Sequence, residues 1–147
     1  MSDTLRQVWL ERTELGGYVI RNERGGELVV GTNEGSRFTP VELLLGAIAA
    51  CGAIDLDLIT SKRAEPTAFT ALAEGHKIRD ELGNRLVDLQ VTYDVAFPDG
   101  SAGDAARSVV PRTLDQIESR LCTVGRTVAV GTPVATRAGN LDPSAPG

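Results

Sequence analysis

Two cysteines, Cys51 and Cys122, lie far apart in the sequence. The N-terminus, MSDTLRQVW, lacks a basic region leading into an apolar one, so we expect no secretory signal. In a reducing compartment such thiols stay free. Two free thiols suit a peroxidatic cysteine, which becomes a sulfenic acid, and a resolving cysteine, which closes the disulfide. Most free cysteines are instead small buried hydrophobic residues, and spacing alone does not decide between the two interpretations.

Cys51 lies inside a predicted helix, on a mostly apolar face. That face carries Leu44, Ala47, Ile48, Ile54, Asp55 and Leu58. A reactive thiolate needs a cation or hydrogen-bond donors nearby, and here another segment must supply them. His76 is the only histidine, and nothing local places it beside Cys51, so a cysteine–histidine pair is not indicated.

The helix that carries Cys51 has a clear start. Thr39 can cap it, Pro40 fits the first helical position, and Glu42 completes a T-x-x-E capping box. We predict that the helix runs to about Lys62. Glu42 precedes Cys51 by about 13 Å and lies on the opposite face, so it cannot act directly as a base on this thiol. Besides capping the helix, Glu42 could have a functional role only by holding a cation that belongs to another segment.

Cys122 follows a second predicted helix and precedes the segment Thr123–Val130. At the start of a new helix, this thiol would experience the positive end of the helix dipole, which favours a thiolate. With one His and two isolated Cys, a four-ligand zinc site has no basis in the sequence, and no cofactor is implied.

Turn residues and hydrophobic periodicity predict the remaining elements. Gly25 and Gly26 allow positive φ at the charged tip of a hairpin over Leu15–Gly31. Alternation from Val87 to Phe97 is typical of a strand with one wet face. The other predicted elements are a strand at Leu5–Leu10, an extended segment at Thr67–His76, a turn at Asp80–Asn84, a helix at Asp104–Leu121 containing Pro111, and a last strand at Pro133–Arg137. Strands around two separated helices favour an α+β fold.

Length and charge narrow the classes of function. The 147 residues fit one domain, which we place at 1–138, with a Pro- and Gly-rich tail at 139–147 expected to be disordered. Fifteen basic against 20 acidic residues give a net charge of −5. The chain thus has no basic excess for nucleic acid or an anionic membrane surface. The longest mainly apolar stretch, Val41–Ile54, is too short to cross a bilayer. We therefore expect a cytoplasmic protein.

Two segments resemble the OsmC/Ohr family. Residues 39–51 read TPVELLLGAIAAC, followed by GAID, and are similar to that family's central helix. Residues 121–128 read LCTVGRTV, followed by GTPV at 131–134, and are similar to its second cysteine segment. Tyr18–Gly31 looks like the family's N-terminal hairpin. The order and spacing match from about Trp9 to Thr136, most of the chain.

The resemblance implies a small α+β protein that forms an interwoven homodimer, with an N-terminal hairpin, an antiparallel sheet and a buried central helix. It implies that Cys51 attacks an organic hydroperoxide and that Cys122 resolves the product as a disulfide. An external dithiol, with a lipoylated protein among the candidates, would restore both thiols. The two active sites would lie at the dimer interface.

The resemblance also implies a cation for Cys51. In the family's peroxidase members, a hairpin arginine activates the first cysteine and is held by a glutamate near the start of the central helix. Arg21 and Arg24 are the hairpin candidates, and Arg21 is preferred because it precedes the turn. Arg37 and Arg126 are the next candidates.

The glutamate of this pair is displaced in the present sequence. Aligned on Pro40 and Cys51, the glutamate of the organic hydroperoxide branch falls on Val41. Glu42 is one position further, about 100° round the helix. Residues 40–45, PVELLL, resemble instead the broader OsmC-like branch.

Two hypotheses follow. The first is a thiol-dependent hydroperoxide reductase that needs no metal or haem. The second is a non-enzymatic dimer of the same fold that binds a small apolar ligand in the same pocket, with inert buried cysteines.

Overall fold

The computed structural model describes residues 4–141, which divide into two compact units. The first contains the described residues up to Leu43 and those from Val134 onward, and the second is Leu44–Pro133. Antiparallel strands and three helices make an α+β fold, as predicted.

The first unit holds a three-stranded antiparallel sheet in the order β1-β2-β3. Its strands are β1 (Trp9–Glu14), β2 (Gly17–Arg21) and β3 (Glu27–Gly31). The predicted hairpin is confirmed as β2–β3. The predicted strand Leu5–Leu10 is wrong in its bounds, because β1 is placed by a second tight turn. That turn contains Gly16 at a φ of 75°, and the resulting register of β1 and β2 pairs Trp9 with Arg21.

Helix α1 spans Pro40–Ser61 and begins at the predicted capping box. The Thr39 backbone N–H donates to Glu42 Oε1 at 2.8 Å, and the Glu42 N–H donates to Thr39 Oγ1 at 3.3 Å. The apolar part of the helix, Pro40–Thr60, is long and apolar enough to cross a membrane. The expectation that the apolar stretch ends at Ile54 and is too short to cross a bilayer is therefore wrong, because the helix continues through Asp55 and Asp57. Core helices of soluble proteins pass the same test, so this is weak evidence for a membrane span.

The second unit also contains β4 (Ala68–Asp80) and β5 (Gly83–Ala96), which pair as a long antiparallel hairpin. A β-bulge interrupts it, where Asp88 and Leu89 face the single residue Gly75. Asp88 adopts a φ of 54°. Because the bulge shifts the alternation by one, Val87 and Val91 project from opposite faces. The predicted stripe is therefore wrong at its first residue, Val87.

Helix α2 (Ser101–Gln116) includes Pro111 and passes into a π-helical turn, Ile117–Leu121; helix α3 covers Thr123–Ala129. The predicted last strand at Pro133–Arg137 is wrong, since residues 132–141 have no regular secondary structure. A strand needs a paired neighbour, and none pairs with this segment among the described residues. Of the predicted tail, 139–141 lack regular structure and 142–147 lie outside the described residues.

Candidate active site

The second unit brings the two cysteines together. Cys51 on α1 packs against a buried cluster formed by Leu56, Ile117 and Cys122. Cys51 is half-buried, whereas Cys122 is only 4% exposed. Cys51 is near enough to Cys122 to raise the pKa of that thiol. Helix packing has thus joined residues that the sequence separates.

Cys122 occupies the N-cap of α3. Its Sγ accepts a hydrogen bond from the Gly125 backbone N–H at 3.2 Å, and its own N–H donates to the Ile117 carbonyl at 3.1 Å. Burial raises the pKa of Cys122, and the neighbouring Cys51 raises it further, against the lowering effect of the Gly125 N–H. The predicted helix-start effect is present but outweighed by desolvation. Cys122 therefore keeps its proton at neutral pH.

Tyr93 on β5 contacts the turn of α1 that carries Cys51. Its hydroxyl donates to the Ala49 carbonyl at 2.9 Å. Gly52 is buried at this crossing, and a Cβ there would collide with the Tyr93 hydroxyl oxygen. The Tyr93 ring also packs edge-on against Phe69, with centroids 6.2 Å apart. Glycine at position 52 thus permits the close approach of helix and strand.

A cleft of about 450 Å³ opens beside Cys122. Most of its wall is apolar, and its lining includes Ile48, Leu89, Val91, Leu114, Ile117 and Ala129. Ile48 belongs to the apolar face predicted around Cys51, and it contributes to this wall. Ile54 and Leu58 instead remain 60% and 63% exposed.

Arg21 is held by carboxylates of neighbouring strands in the first unit. Its Nη1 lies 2.8 Å from Glu11 Oε2, and its Nε lies 3.4 Å from Glu27 Oε1. Glu42 accepts its hydrogen bond from Thr39, which lowers the pKa of this carboxyl group. The ion pairs of residues 4–141 do not include the predicted Arg21–Glu42 pair.

The other candidate arginines have different surroundings. Arg24 lies in the β2–β3 turn, where its backbone N–H donates to Asn22 Oδ1. Arg37 is 11% exposed and is held by Thr32 and two glutamates. Arg126 is exposed on α3, and its backbone N–H donates to the Cys122 carbonyl at 2.9 Å. Of the four arginines, only Arg126 belongs to the same unit as the cysteines.

The family model described as OsmC-like protein matches residues 31–137. The chain belongs to the OsmC family. Uncharacterized proteins of Mycobacterium tuberculosis and Mycobacterium bovis are 30% identical to it over 132 residues, covering 88% of this chain and 93% of theirs.

Solved structures share the OsmC-like fold. An OsmC-like protein from Mycoplasma pneumoniae gives a TM-score of 0.69 at 13% identity, over 87% of this chain and 89% of that one. A hypothetical protein from Aquifex aeolicus gives 0.67 at 19% identity, with the same coverage. An OsmC-like protein of unknown function from Vibrio cholerae gives 0.67 at 15% identity, over 86% and 94%. At these identities the likeness concerns the fold alone.

In this OsmC-family chain, sequence reasoning missed Tyr93 and Gly52 as parts of the site. One signal was available for Tyr93. It is an aromatic residue with a polar tip among aliphatic strand residues, and a buried tyrosine hydroxyl usually finds a partner. No comparable signal marked Gly52, because small residues occur throughout residues 46–53.

Proposed function

We propose that this OsmC-family protein is a thiol-dependent hydroperoxide reductase. The thiolate of Cys51 attacks the terminal oxygen of the hydroperoxide and the O–O bond breaks. Cys51 becomes a sulfenic acid, and the alkoxide leaves as an alcohol after taking a proton from water. The Cys122 sulfur then displaces hydroxide from Cys51, giving a disulfide and water. An external dithiol reduces the disulfide and is itself oxidised. The observation that carries this proposal is the packing of Cys51 against the buried cluster that contains Cys122.

The exposure of the two thiols supports this assignment of roles. Cys51 is the more accessible of the two cysteine residues, as an attacking residue must be. Cys122 is nearly buried, and desolvation raises its pKa. A thiol that stays protonated competes poorly for peroxide but can still react with a sulfenic acid held beside it.

Organic hydroperoxides should be reduced faster than hydrogen peroxide. Burying about 60 Å² of alkyl surface at about 25 cal/mol per Å² contributes about 1.5 kcal/mol, or roughly tenfold in kcat/KM. Hydrogen peroxide has no alkyl surface to place in the apolar cleft beside Cys122. Cumene or tert-butyl hydroperoxide and hydrogen peroxide, compared as competing substrates at equal concentration with a dithiol reductant, measure the ratio.

Equal rates, or a preference for hydrogen peroxide, would show that the cleft does not hold the substrate. Thiol titration before and after a stoichiometric pulse of cumene hydroperoxide tests the reaction itself. Loss of two thiols per chain, recovered by dithiothreitol, is the expected result. No loss would favour the non-enzymatic alternative, in which the cleft binds an apolar ligand and the cysteines are inert.

We propose Arg21 as the cation that activates Cys51, with Glu42 supporting the arginine in the assembled protein. Arg21→Ala should slow oxidation of Cys51 roughly tenfold, because an adjacent guanidinium favours the thiolate by about 1.4 kcal/mol or more. Arg24→Ala, which removes the same charge from the same hairpin, is the matched control. Stopped-flow oxidation by cumene hydroperoxide and the pH dependence of Cys51 alkylation measure the effect. Equal rates in the two variants would show that Arg21 is not the activating cation, and Arg126 and Arg37 would then be the next candidates.

The exposed apolar side chains support a homodimer. Ile54 and Leu58 on α1, together with Leu28 and Val29 on β3, are each more than half exposed in the single chain. Exposed apolar side chains one turn apart on a helix, such as Ile54 and Leu58, are typical of an interaction surface, and a second copy of the chain is the proposed partner. We further propose that residues 1–138 act as one functional domain and that the protein works in the cytoplasm, where thiols are kept reduced.

A further inference from the structure

We infer that Tyr93 is a positioning residue for disulfide formation: its hydroxyl holds the Cys51 turn of α1 against β5, so that an oxidised Cys51 meets Cys122. This inference rests on the proposed function for its biological meaning. Its geometry concerns only residues of the second unit.

The first observation is the hydrogen bond itself. The Tyr93 hydroxyl donates to the Ala49 carbonyl at 2.9 Å. Ala49 precedes Cys51 by two residues, about 3 Å along the helix axis, so both belong to one helical turn. A strand side chain is therefore bonded directly to the backbone that carries the proposed attacking sulfur.

The second observation links the same contact to Cys122. A Cβ at Gly52 would collide with the Tyr93 hydroxyl on one side and lie 3.2 Å from Ile117 Cγ2 on another. The Ile117 carbonyl in turn accepts the Cys122 backbone N–H at 3.1 Å. Tyr93, Gly52, Ile117 and Cys122 thus form a continuous set of contacts from the Cys51 turn to the second sulfur.

The Tyr93 hydroxyl also keeps the proton that it donates. Burial raises the pKa of Tyr93, and the nearby Cys122, Cys51 and Asp55 raise it further. The donor is therefore present when the thiols are ionised as well as when they are not.

Disulfide formation is the step that depends most on this placement. The Cys122 sulfur forms the S–S bond while the S–O bond of the Cys51 sulfenic acid breaks, and hydroxide leaves as water with the Cys122 proton. A sulfenic acid that does not meet Cys122 stays exposed to a second hydroperoxide, which oxidises it to a sulfinic acid. Loosening the Cys51 turn should therefore slow resolution and increase overoxidation.

Tyr93→Phe tests the inference, because it keeps the ring packed on Phe69 and removes only the hydroxyl. Reduced protein is mixed with diamide, which adds to one thiol and is displaced by the other, so the assay needs no peroxidase activity. The disulfide should form about tenfold more slowly than in wild type, the upper range for one neutral hydrogen bond. With excess cumene hydroperoxide, mass spectrometry should show a larger sulfinic fraction at Cys51.

Phe69→Leu is the matched control, since it loosens the same aromatic contact but leaves the hydroxyl bond. It should lower the melting temperature without raising the sulfinic fraction. Wild-type disulfide rates in Tyr93→Phe, or equal overoxidation in both variants, would overturn the inference. A wild-type protein that forms the disulfide with diamide but ignores hydroperoxides would overturn the proposed function and leave the positioning role in place.

Discussion

Cys51→Ser is expected to abolish hydroperoxide consumption, whereas Cys122→Ser is expected to retain one oxidation event per chain. A serine hydroxyl is not ionised near neutral pH, so the first variant has no nucleophile. The second variant keeps the accessible sulfur and loses the one that is 4% exposed beside it. Intact-mass spectrometry after one equivalent of cumene hydroperoxide measures both outcomes.

The adducts distinguish the two roles. Wild type should lose two hydrogens per chain and give a peptide that links residues 51 and 122. Cys122→Ser should give a sulfenic acid at Cys51 that a dimedone-type reagent traps, and excess peroxide should convert it to a sulfinic acid. The mechanism is wrong if wild type forms no such link and Cys122→Ser gives no sulfenic adduct. Full activity in Cys51→Ser would reverse the assignment of the two sulfurs.

Gly52→Ala should lower the free energy of unfolding by about 2–4 kcal/mol. Overpacking a core position costs about 1–3 kcal/mol, and displacing the Tyr93 hydroxyl from the Ala49 carbonyl costs about 1 kcal/mol more. The new Cβ would collide with that hydroxyl and crowd Ile117. Urea unfolding followed by far-UV circular dichroism measures the change.

Gly46→Ala is the control for this substitution. Both glycines belong to α1, but a Cβ at Gly46 would meet nothing within 4 Å. Alanine there should instead raise stability by about 0.5–1 kcal/mol, because glycine loses more backbone entropy in a helix. If the two alanine variants were equally stable, the close approach of Tyr93 to Gly52 would not exist in solution.

Much of the fold could be predicted because its signals are local. Glycines that allow positive φ place the β2–β3 turn, and a capping box starts α1 at Pro40. The position of Cys122 at the start of a helix followed in the same way from the residues around it. Each of these features depends on hydrogen bonds between residues a few positions apart, so neighbours in the chain are sufficient to specify it.

The predictions that failed or stayed open depend on distant partners. The β-bulge at Asp88 exists only because β4 offers Gly75 opposite it, and no pattern within β5 shows that offset. The strand expected at Pro133–Arg137 had suitable residues but no neighbour to pair with among those described. The partners of Arg21 were likewise decided by strand register, which places Glu27 directly opposite it.

The sequence by itself determined the α+β class, the central helix and the two cysteines as candidates for redox chemistry. Only the tertiary structure decided that Cys51 packs against the cluster that contains Cys122, that Tyr93 is bonded to the helix that carries Cys51, and that Gly52 makes room for it. The physical reason is that contacts between residues far apart in the sequence depend on how the helices and strands pack. Nothing in the sequence around either residue indicates which distant residue it will contact.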